Sequence, residues 1–315
     1  MNRRHFVSLG AALAAFPLVS SAQQRVLKIG FITIASIAEA YLTPFRTALR
    51  DRGYIEGKTV QVEVRTPARA PELAQAAAEL VNAHVDVIVS VLTVATNAAR
   101  KATTSIPIVF LGVGDPVGTG VVASMNRPGA NVTGIGDSSA EANAKTLELL
   151  SEALPAAKRV QVITDPRDPY AKTFMDHLRE VGKRRSLDVQ PLAITTPDAL
   201  DSAVADLSRQ KPDVVIIQGS FPSRTAALLL ERGIPSGGTP ESFANAGSLL
   251  CFAIDVPDIC RQGVDYVQRI ARGAKPADLP VQVPKRHVVL NLKTARALGI
   301  AIPQALLVRA DRLIE

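Results

Sequence analysis

Two kinds of hydrophobic run alternate along most of the chain. Short apolar runs, such as Ile29-Gly30-Phe31-Ile32 and Val214-Val215-Ile216, are followed by Ala- and Leu-rich stretches, such as Pro71 to Ala83 and Leu200 to Gln210. Continuous apolar strands separated by helices are typical of parallel sheets that are covered on both faces. The pattern therefore predicts an α/β fold built from doubly wound parallel sheets.

The alternating pattern occurs twice, with four landmarks in the same order. Asp86-Val87-Ile88-Val89 returns 127 residues later as Asp213-Val214-Val215-Ile216, and Ile106-Pro107 returns 128 residues later as Ile234-Pro235. The other two are the strand ending at Thr33, which returns at Thr164, and the helix end at Gly53, which returns at Gly182. Both glycines are predicted to end their helices, because a left-handed cap favours glycine. The repeat indicates two copies of one βαβα unit and hence two lobes.

The first 22 residues have the pattern of a secretory signal peptide. Arg3 and Arg4 form a basic start, Phe6 to Val19 is apolar, and the small residues Ser20 and Ala22 suit cleavage before Gln23. The apolar run is shorter than the roughly 20 residues that span a bilayer. We therefore expect a periplasmic protein with residues 1–22 removed. The paired arginines also fit twin-arginine export, and a buried N-terminal helix is the alternative interpretation.

The charge of the chain does not indicate nucleic-acid binding. The 315 residues carry 36 Lys and Arg against 29 Asp and Glu, a net charge of +7, and cleavage of the leader would remove two Arg. The remaining basic residues are dispersed among acidic ones. The one cluster, Lys183-Arg184-Arg185, lies at the end of a predicted helix, where it complements the helix dipole. Since no aromatic stripe accompanies it, we expect no nucleic-acid partner.

The sequence offers no catalytic, cofactor or metal motif with the required spacing. The glycine-rich run Gly112 to Gly120 lacks the Lys-Ser/Thr of a phosphate loop, and Pro116 interrupts a dinucleotide fingerprint. Neither a nucleophile elbow nor a His-Glu-x-x-His motif occurs. Cys251 and Cys260 either form a disulfide or stay as buried free thiols, of which we favour the second. We therefore expect neither an enzyme nor a cofactor or metal site.

Polar residues just past the predicted strands are the candidate ligand contacts. Open parallel sheets bind ligands outside the carboxyl ends of their strands, so two facing lobes would enclose a ligand between them. Hydroxyls and carboxylates at helix starts also serve as N-caps, and this alternative applies to each of them. The candidates are Ser36, Thr93 and Asp115 in the first copy and Asp165, Tyr170, Ser220 and Glu241 in the second.

Several of these runs resemble one family over nearly the whole chain. The most specific are Gly114 to Ser124 and Arg127 to Gly134, and further matches are Leu49 to Gly57, Val85 to Val89, Ile106 to Phe110, Gly273 to Val281 and Asn291 to Ala295. They resemble the ABC-transporter substrate-binding proteins of the type I periplasmic-binding fold, in the tryptophan/aromatic-transporter-like group.

The resemblance implies two lobes that close on a small molecule, such as an amino acid or a small organic acid. It implies a non-catalytic monomer that delivers this molecule to the membrane permease of an ABC importer. The expected boundaries are 23–137 plus about 257–284 for lobe 1, and 138–256 plus about 285–315 for lobe 2. It also places ligand contacts at Ser36, Thr93, Asp115, Asp165, Ser220 and Glu241.

The chain departs from the family pattern at two places. Val91-Leu92 stands where the family usually has Ser/Thr-Gly, and Gly237-Gly238 stands where it often has an aromatic residue. With no Trp and an aromatic content of 4%, the chain is expected to have an open pocket that recognises its ligand mainly through polar groups. The alternative function is a periplasmic sensor subunit that presents the bound molecule to a membrane receptor. An exported enzyme is disfavoured because no activated nucleophile is visible.

Overall fold

The apolar runs of the sequence form the strands of two separate sheets. The computed structural model describes residues 26–137, 139–196 and 198–315, so the predicted signal peptide of residues 1–22 lies outside the described residues. The strands are β1 (Leu27–Ile32), β2 (Val60–Arg65), β3 (Val87–Val91), β4 (Ile108–Gly114), β5 (Val132–Asp137), β6 (Arg159–Thr164), β7 (Asp188–Ala193), β8 (Val214–Ile217), β9 (Ser236–Pro240), β10 (Leu250–Ile254), β11 (Arg286–Asn291) and β12 (Arg312–Ile314).

Helices follow most of these strands and cover both faces of each sheet. They are α1 (Ala35–Asp51), α2 (Leu73–Asn82), α3 (Leu92–Ala102), α4 (Ser139–Ala153), α5 (Ala171–Arg185), α6 (Ala199–Gln210), α7 (Arg224–Glu231), α8 (Glu241–Ala246), α9 (Val256–Ala271), α10 (Leu292–Ala297) and α11 (Gln304–Arg309). Short 3₁₀ turns occupy Ala70–Glu72 and Pro276–Asp278.

The two sheets share one strand order, as the sequence repeat predicts. The first sheet has the order β2-β1-β3-β4-β5, and all its neighbouring strands are parallel. In the second sheet, β7-β6-β8-β9-β10 repeats that order, and β11 and β12 extend the sheet beyond β10. The predicted α/β fold with two doubly wound parallel-sheet lobes is confirmed. The antiparallel pairing of β11 with β10 is an addition that the sequence pattern did not indicate.

Two helices pack on the sheet that does not contain the strand before them. Helix α4 follows β5 of the first sheet, but it packs against β9, β10 and α5 of the second lobe. Helix α9 follows β10 of the second sheet, but it packs against α1 and β4 of the first lobe. Val264 and Val267 of α9 are buried in the same core cluster as Phe45 of α1. The chain therefore passes from one lobe to the other more than once.

One predicted helix end is wrong. Gly53 follows α1 with a φ of +80°, as expected, but Gly182 lies inside α5, which continues to Arg185 and ends at the left-handed Ser186. Gly182 is buried, and a Cβ added there would lie 2.7 Å from Cγ2 of Val189. Its small size therefore lets α5 pack closely on β7, and close packing rather than helix termination explains the glycine.

The basic cluster at the end of α5 is neutralised within its own lobe. Lys183 pairs with Glu180, Arg184 with Glu148, and Arg185 with Glu152, at N–O distances of 2.9, 2.9 and 3.4 Å. These pairs support the interpretation of the cluster as a solvated helix end. None of the helices that the structure describes is long and apolar enough to cross a membrane.

Candidate functional site

Two adjoining cavities lie where the carboxyl ends of the two sheets face each other. The larger, here called the outer chamber, has a volume of about 460 Å³ and is lined from both lobes. The smaller, here called the inner pocket, has a volume of about 40 Å³. Asp168 and Ser220 line both, so the two cavities meet at these residues. Loops after β1, β2 and β3 face loops after β6, β7 and β8 across the outer chamber, which is the arrangement that the two-lobed fold predicts.

The outer chamber combines apolar surface with three arginine side chains. Its apolar lining includes Ile34, Ile194, Leu200, Phe221 and Pro222. Such a surface suits the hydrocarbon part of a small molecule, while a few polar groups fix its orientation.

Each arginine of the outer chamber is paired with a carboxylate of its own lobe. The arginines are Arg69, Arg167 and Arg224, and their partners are Glu72, Asp165 and Asp201, at N–O distances of 2.6, 2.7 and 2.9 Å. The side chains of Arg69, Arg167 and Arg224 are 67%, 49% and 51% exposed. Because a guanidinium group carries five N–H donors, each has donors left for an anionic ligand group.

Asp165 is held ionised by its arginine. Burial pushes the pKa of Asp165 upward, but hydrogen bonds and charge from Arg167 outweigh burial and hold this pKa below its usual value. Arg167 donates from Nε to Oδ1 at 2.9 Å and from Nη2 to Oδ2 at 2.7 Å. Arg167 also contacts the main-chain oxygen of Thr195, which ties the loop after β6 to the loop after β7.

Asp168 is the buried carboxylate at the junction of the two cavities. Its side chain accepts from the main-chain N–H of Tyr170 at 3.0 Å and from Nε2 of Gln218 at 2.7 Å. Gln218 in turn accepts from the hydroxyl of Thr164 at 2.6 Å, so the network is anchored at the end of β6. Asp168 is only 8% exposed, and burial, reinforced by the nearby charge of Asp165, raises its pKa to about 6 despite the two hydrogen bonds. The carboxyl group is therefore fixed in position, and it changes its protonation state near pH 6.

The inner pocket is formed where the two lobes touch. Tyr170 of the second lobe packs against Gly114 of the first so closely that a Cβ on the glycine would lie 2.8 Å from Cδ2 of the ring. Thr93 and Tyr41 contribute from the first lobe, and Thr239 contributes from the second. A ligand that reaches this pocket would contact both lobes at once.

Five of the seven residues predicted from the sequence line these cavities. Ser36 and Asp165 line the outer chamber, Thr93 and Tyr170 line the inner pocket, and Ser220 lines both. They come together because each follows a strand whose carboxyl end faces the cleft.

The structure places Asp115 and Glu241 in other contacts. Asp115 lies in the turn after β4 with a φ of +46°, and its Oδ1 accepts from the main-chain N–H of Gly118 at 2.9 Å. This is the capping role that the sequence left open for it. Glu241 accepts from Nε2 of His287 at 2.8 Å and forms an ion pair with Arg312, both from the C-terminal part of the second sheet. Partners distant in sequence therefore occupy the carboxylate of Glu241.

Several residues that line the site were not predicted from the sequence. Gln218 follows β8 directly, so the rule that selected Ser220 would also have selected Gln218. Asp168 lies three residues beyond Asp165 in the same Pro-containing loop. The presence of a second Asp in that loop was the signal that could have identified Asp168. Arg69 and Arg224 belong to loops and helix starts that carried no motif.

The expected opening of the site at Gly237-Gly238 is wrong. Both glycines are buried in β9, where a Cβ on Gly237 would lie 2.7 Å from Cδ1 of Leu150, and one on Gly238 would lie 2.7 Å from Cδ2 of Phe243. Side chains from α4 and α8 therefore fill the space that an aromatic residue on β9 would take.

The two cysteines are free and buried, which confirms the favoured interpretation. Burial raises the pKa of the Cys251 thiol to about 12 and also raises that of Cys260, so both are unreactive thiols. Among the residues that the structure describes, no group of three or more His, Cys, Asp and Glu side chains is placed to hold a metal ion.

Comparison with known proteins finds one family over almost the full length. Residues 30–314 match the family model described as ABC transporter substrate binding protein. The tyrosine-binding protein of Clostridioides difficile (strain R20291) is 29% identical over 264 residues, which cover 81% of this chain and 75% of that protein.

Solved structures with the same fold agree with this match. A conserved domain protein from Vibrio cholerae has a TM-score of 0.83 and 29% identity, and the match covers 92% of this chain and 99% of the other. An ABC domain from Streptococcus pneumoniae, solved in complex with L-Trp, has a TM-score of 0.81 and 23% identity over 92% of this chain and 100% of the other. At that identity the second likeness supports the fold alone.

Proposed function

This chain belongs to the ABC transporter substrate-binding protein family, and we propose that it captures a small solute between its lobes and delivers it to an ABC importer. The observation that carries the proposal is the pair of adjoining cavities lined from both lobes. A solute that contacts both lobes favours the arrangement in which the lobes are together, because its affinity for that arrangement is higher. The permease of the importer would then recognise the joined lobes.

The lining of the cavities favours an amino acid or a small organic acid with an apolar body. The apolar surface around Leu200 and Phe221 suits that body, and a guanidinium group such as that of Arg167 suits a carboxylate. The buried carboxylate of Asp168 suits an ammonium group, which it would meet at the junction of the cavities. The name of the Clostridioides difficile relative, a tyrosine-binding protein, supports an amino acid as the first candidate.

The proposed ligand contacts are the predicted residues that line the cavities, together with Asp168. Ser36 and Asp165 would contact the ligand in the outer chamber, Thr93 and Tyr170 in the inner pocket, and Ser220 at the junction. We leave Asp115 and Glu241 out of this set because other groups of the protein already occupy their carboxylates.

The same proposal extends to lobe boundaries, location and partners. Lobe 1 would comprise 23–137 plus about 257–284, and lobe 2 would comprise 138–256 plus about 285–315; the packing of α9 on the first sheet and of α4 on the second supports this division. The protein would bind without catalysis as a periplasmic monomer, exported by the leader of residues 1–22, with a membrane permease as its partner. Membership of a substrate-binding family supports this location and this partner.

A thermal-shift panel tests the proposal on the purified mature chain. The panel contains L-tyrosine, L-tryptophan, L-leucine, L-alanine and phenylacetate. A bound solute at 100 times its Kd stabilises the folded state by about 2.7 kcal/mol, so a ligand should raise the Tm by several degrees. Asp168→Ala should abolish the shift, whereas Ser202→Ala on the exposed face of α6 should keep it.

Native mass spectrometry complements the panel by detecting solute that co-purifies with the protein. A mass increment that disappears in Asp168→Ala would support the proposal. If no panel solute shifted the Tm and no solute co-purified, the proposal that the cavities hold a small molecule would be wrong.

A further inference from the structure

Leu92 has a backbone conformation that its residue type disfavours. It is the first residue of α3 and has a φ of +62°, in the left-handed region where the Cβ of an L-residue crowds the following carbonyl oxygen. Glycine adopts this conformation without that penalty. The leucine here therefore adopts a conformation against its local preference.

Two other non-glycine residues with positive φ lie at helix ends, where such a conformation is usual. Ser186 and Lys211 are the left-handed caps at the ends of α5 and α6, and both are polar and exposed. Leu92 instead starts a helix and carries an apolar side chain into the space between the lobes. Local strain of this kind persists where the surrounding structure demands it, and it concentrates at functional sites.

The side chain of Leu92 occupies one side of the inner pocket. It lines the pocket beside Tyr41 and Gly112, and its Cδ2 lies 3.4 Å from the place where a Cβ on Gly112 would stand. The hydroxyl of Tyr41 lies 3.2 Å from that same place. These three residues form a closed wall on the first-lobe side.

The opposite side of the inner pocket carries most of the polar groups that line it. Asp168, Gln218, Ser220 and Thr239 of the second lobe line it, and Thr93 of the first lobe adds a further hydroxyl. A pocket of about 40 Å³ between the wall that contains Leu92 and these groups has room for a polar group of a few atoms. The outer chamber, at about 460 Å³, has room for the rest of a ligand.

We propose that Leu92 is a specificity-determining residue, which limits the inner pocket to a small polar head group and keeps the bulky part of the ligand in the outer chamber. The inference rests on the proposed function, since it concerns the selection of the captured solute. Removal of the leucine side chain should open the pocket on the side of the first lobe. The protein should then accept ligands with a bulkier head group.

The test compares head groups that differ by one methyl group. The Kd values are measured by isothermal titration for L-tyrosine and α-methyl-L-tyrosine, for L-leucine and α-methyl-L-leucine, and for phenylacetate and 2-phenylpropanoate. Relative to the wild type, Leu92→Gly should shift the ratio within a bound pair by about tenfold or more in favour of the methylated compound, since one methyl group in a pocket has an effect of this size.

A control variant distinguishes the effect of a larger pocket from the effect of relieved backbone strain. Lys211→Gly relieves the same left-handed conformation at an exposed helix end, so it should leave the ratio unchanged within about twofold. Leu92→Ala also shortens the side chain but keeps a non-glycine residue at this position. It should shift the Kd ratio in the same direction, so the proposal can still be tested if the glycine variant folds poorly.

Two results would overturn the inference. If the wild type binds a parent compound and both Leu92 variants show the same Kd ratio within that pair as the wild type, Leu92 does not set the head-group size. The proposed function then stands. If neither the wild type nor the variants bind any of the six compounds, the proposed function fails for these classes and the inference fails with it. Binding of a methylated compound by Leu92→Gly alone would support the inference.

Discussion

At the scale of single residues, Asp168 connects the structure to a measurable pH dependence. Its pKa is raised from 3.8 to about 6, chiefly by burial, so the folded state binds the proton more tightly than the unfolded state. The stability that this provides is complete below pH 3.8 and is lost as the pH rises through about 6. Asp165 has the opposite shift, because Arg167 favours its ionised form.

Asp168→Asn should remove this dependence, because an amide does not ionise. Urea unfolding between pH 3.8 and pH 7 should show the wild type losing about 3 kcal/mol relative to Asp168→Asn as the pH rises. Asp165→Asn serves as the control: because the pKa of Asp165 is lowered from 3.8, the stability that its ionisation provides is present above that pH and is lost below it, so the wild type should not lose stability relative to Asp165→Asn over the same range. Parallel curves for the wild type and Asp168→Asn would contradict the assignment of the raised pKa to this residue.

At the same scale, some contacts of the site residues follow from the sequence pattern and others do not. Ser220 and Thr93 line the cavities because a strand end fixes where the next residue lies, and strand ends are visible in the hydrophobic pattern. Glu241 was selected because it follows β9, but its carboxylate contacts His287 and Arg312, which are 46 and 71 residues away in the sequence. Such contacts depend on the packing of β11 and β12, which the repeat did not predict.

At the scale of elements, the glycines of β9 determine how closely two helices approach the second sheet. A Cβ on Gly237 would lie 2.5 Å from the main-chain oxygen of Leu250 and 2.9 Å from Cγ2 of Thr146. The first neighbour is backbone of the adjacent strand, which has little room to move. These glycines therefore serve packing in the second lobe.

Gly237→Ala should accordingly destabilise the protein by about 1–3 kcal/mol through overpacking. The control is Gly219→Ala, whose added Cβ would make only ordinary contacts, the nearest at 3.6 Å to Cγ of Pro240. Its free energy of unfolding should stay within about 0.5 kcal/mol of the wild type. Chemical denaturation compares the two, and equal stability of both variants would contradict the packing role.

Most elements were predictable because buried parallel strands leave continuous apolar runs, as in β3 and β8. The end of α5 was not, because a glycine has the same appearance in a sequence whether it terminates a helix or admits a neighbouring strand. Gly182 serves the second purpose, and only its contact with Val189 distinguishes the two. A local pattern predicts an element better than it predicts where the element stops.

At the scale of the whole molecule, the repeated unit explains why the cavities lie between the lobes. Both copies direct the carboxyl ends of their strands toward the same space, and Asp168 and Ser220 join the two cavities there. Helix α4 follows a strand of the first lobe and packs on the second lobe, and helix α9 follows a strand of the second lobe and packs on the first. The sequence repeat predicted this architecture, whereas the volumes of the cavities depend on side-chain packing.

The distance between the lobes provides the most direct test of solute capture. Spin labels on Gln75→Cys in α2 and Ser202→Cys in α6 would report on opposite sides of the outer chamber, and both positions are exposed. The native Cys251 and Cys260 are buried with raised pKa values, so the introduced thiols should be labelled selectively. Electron–electron double resonance measures the distance without solute and with the panel compound that gives the largest rise in Tm. We predict that the bound compound shortens the mean distance and narrows its distribution, and an unchanged distribution at saturation would contradict capture between the lobes.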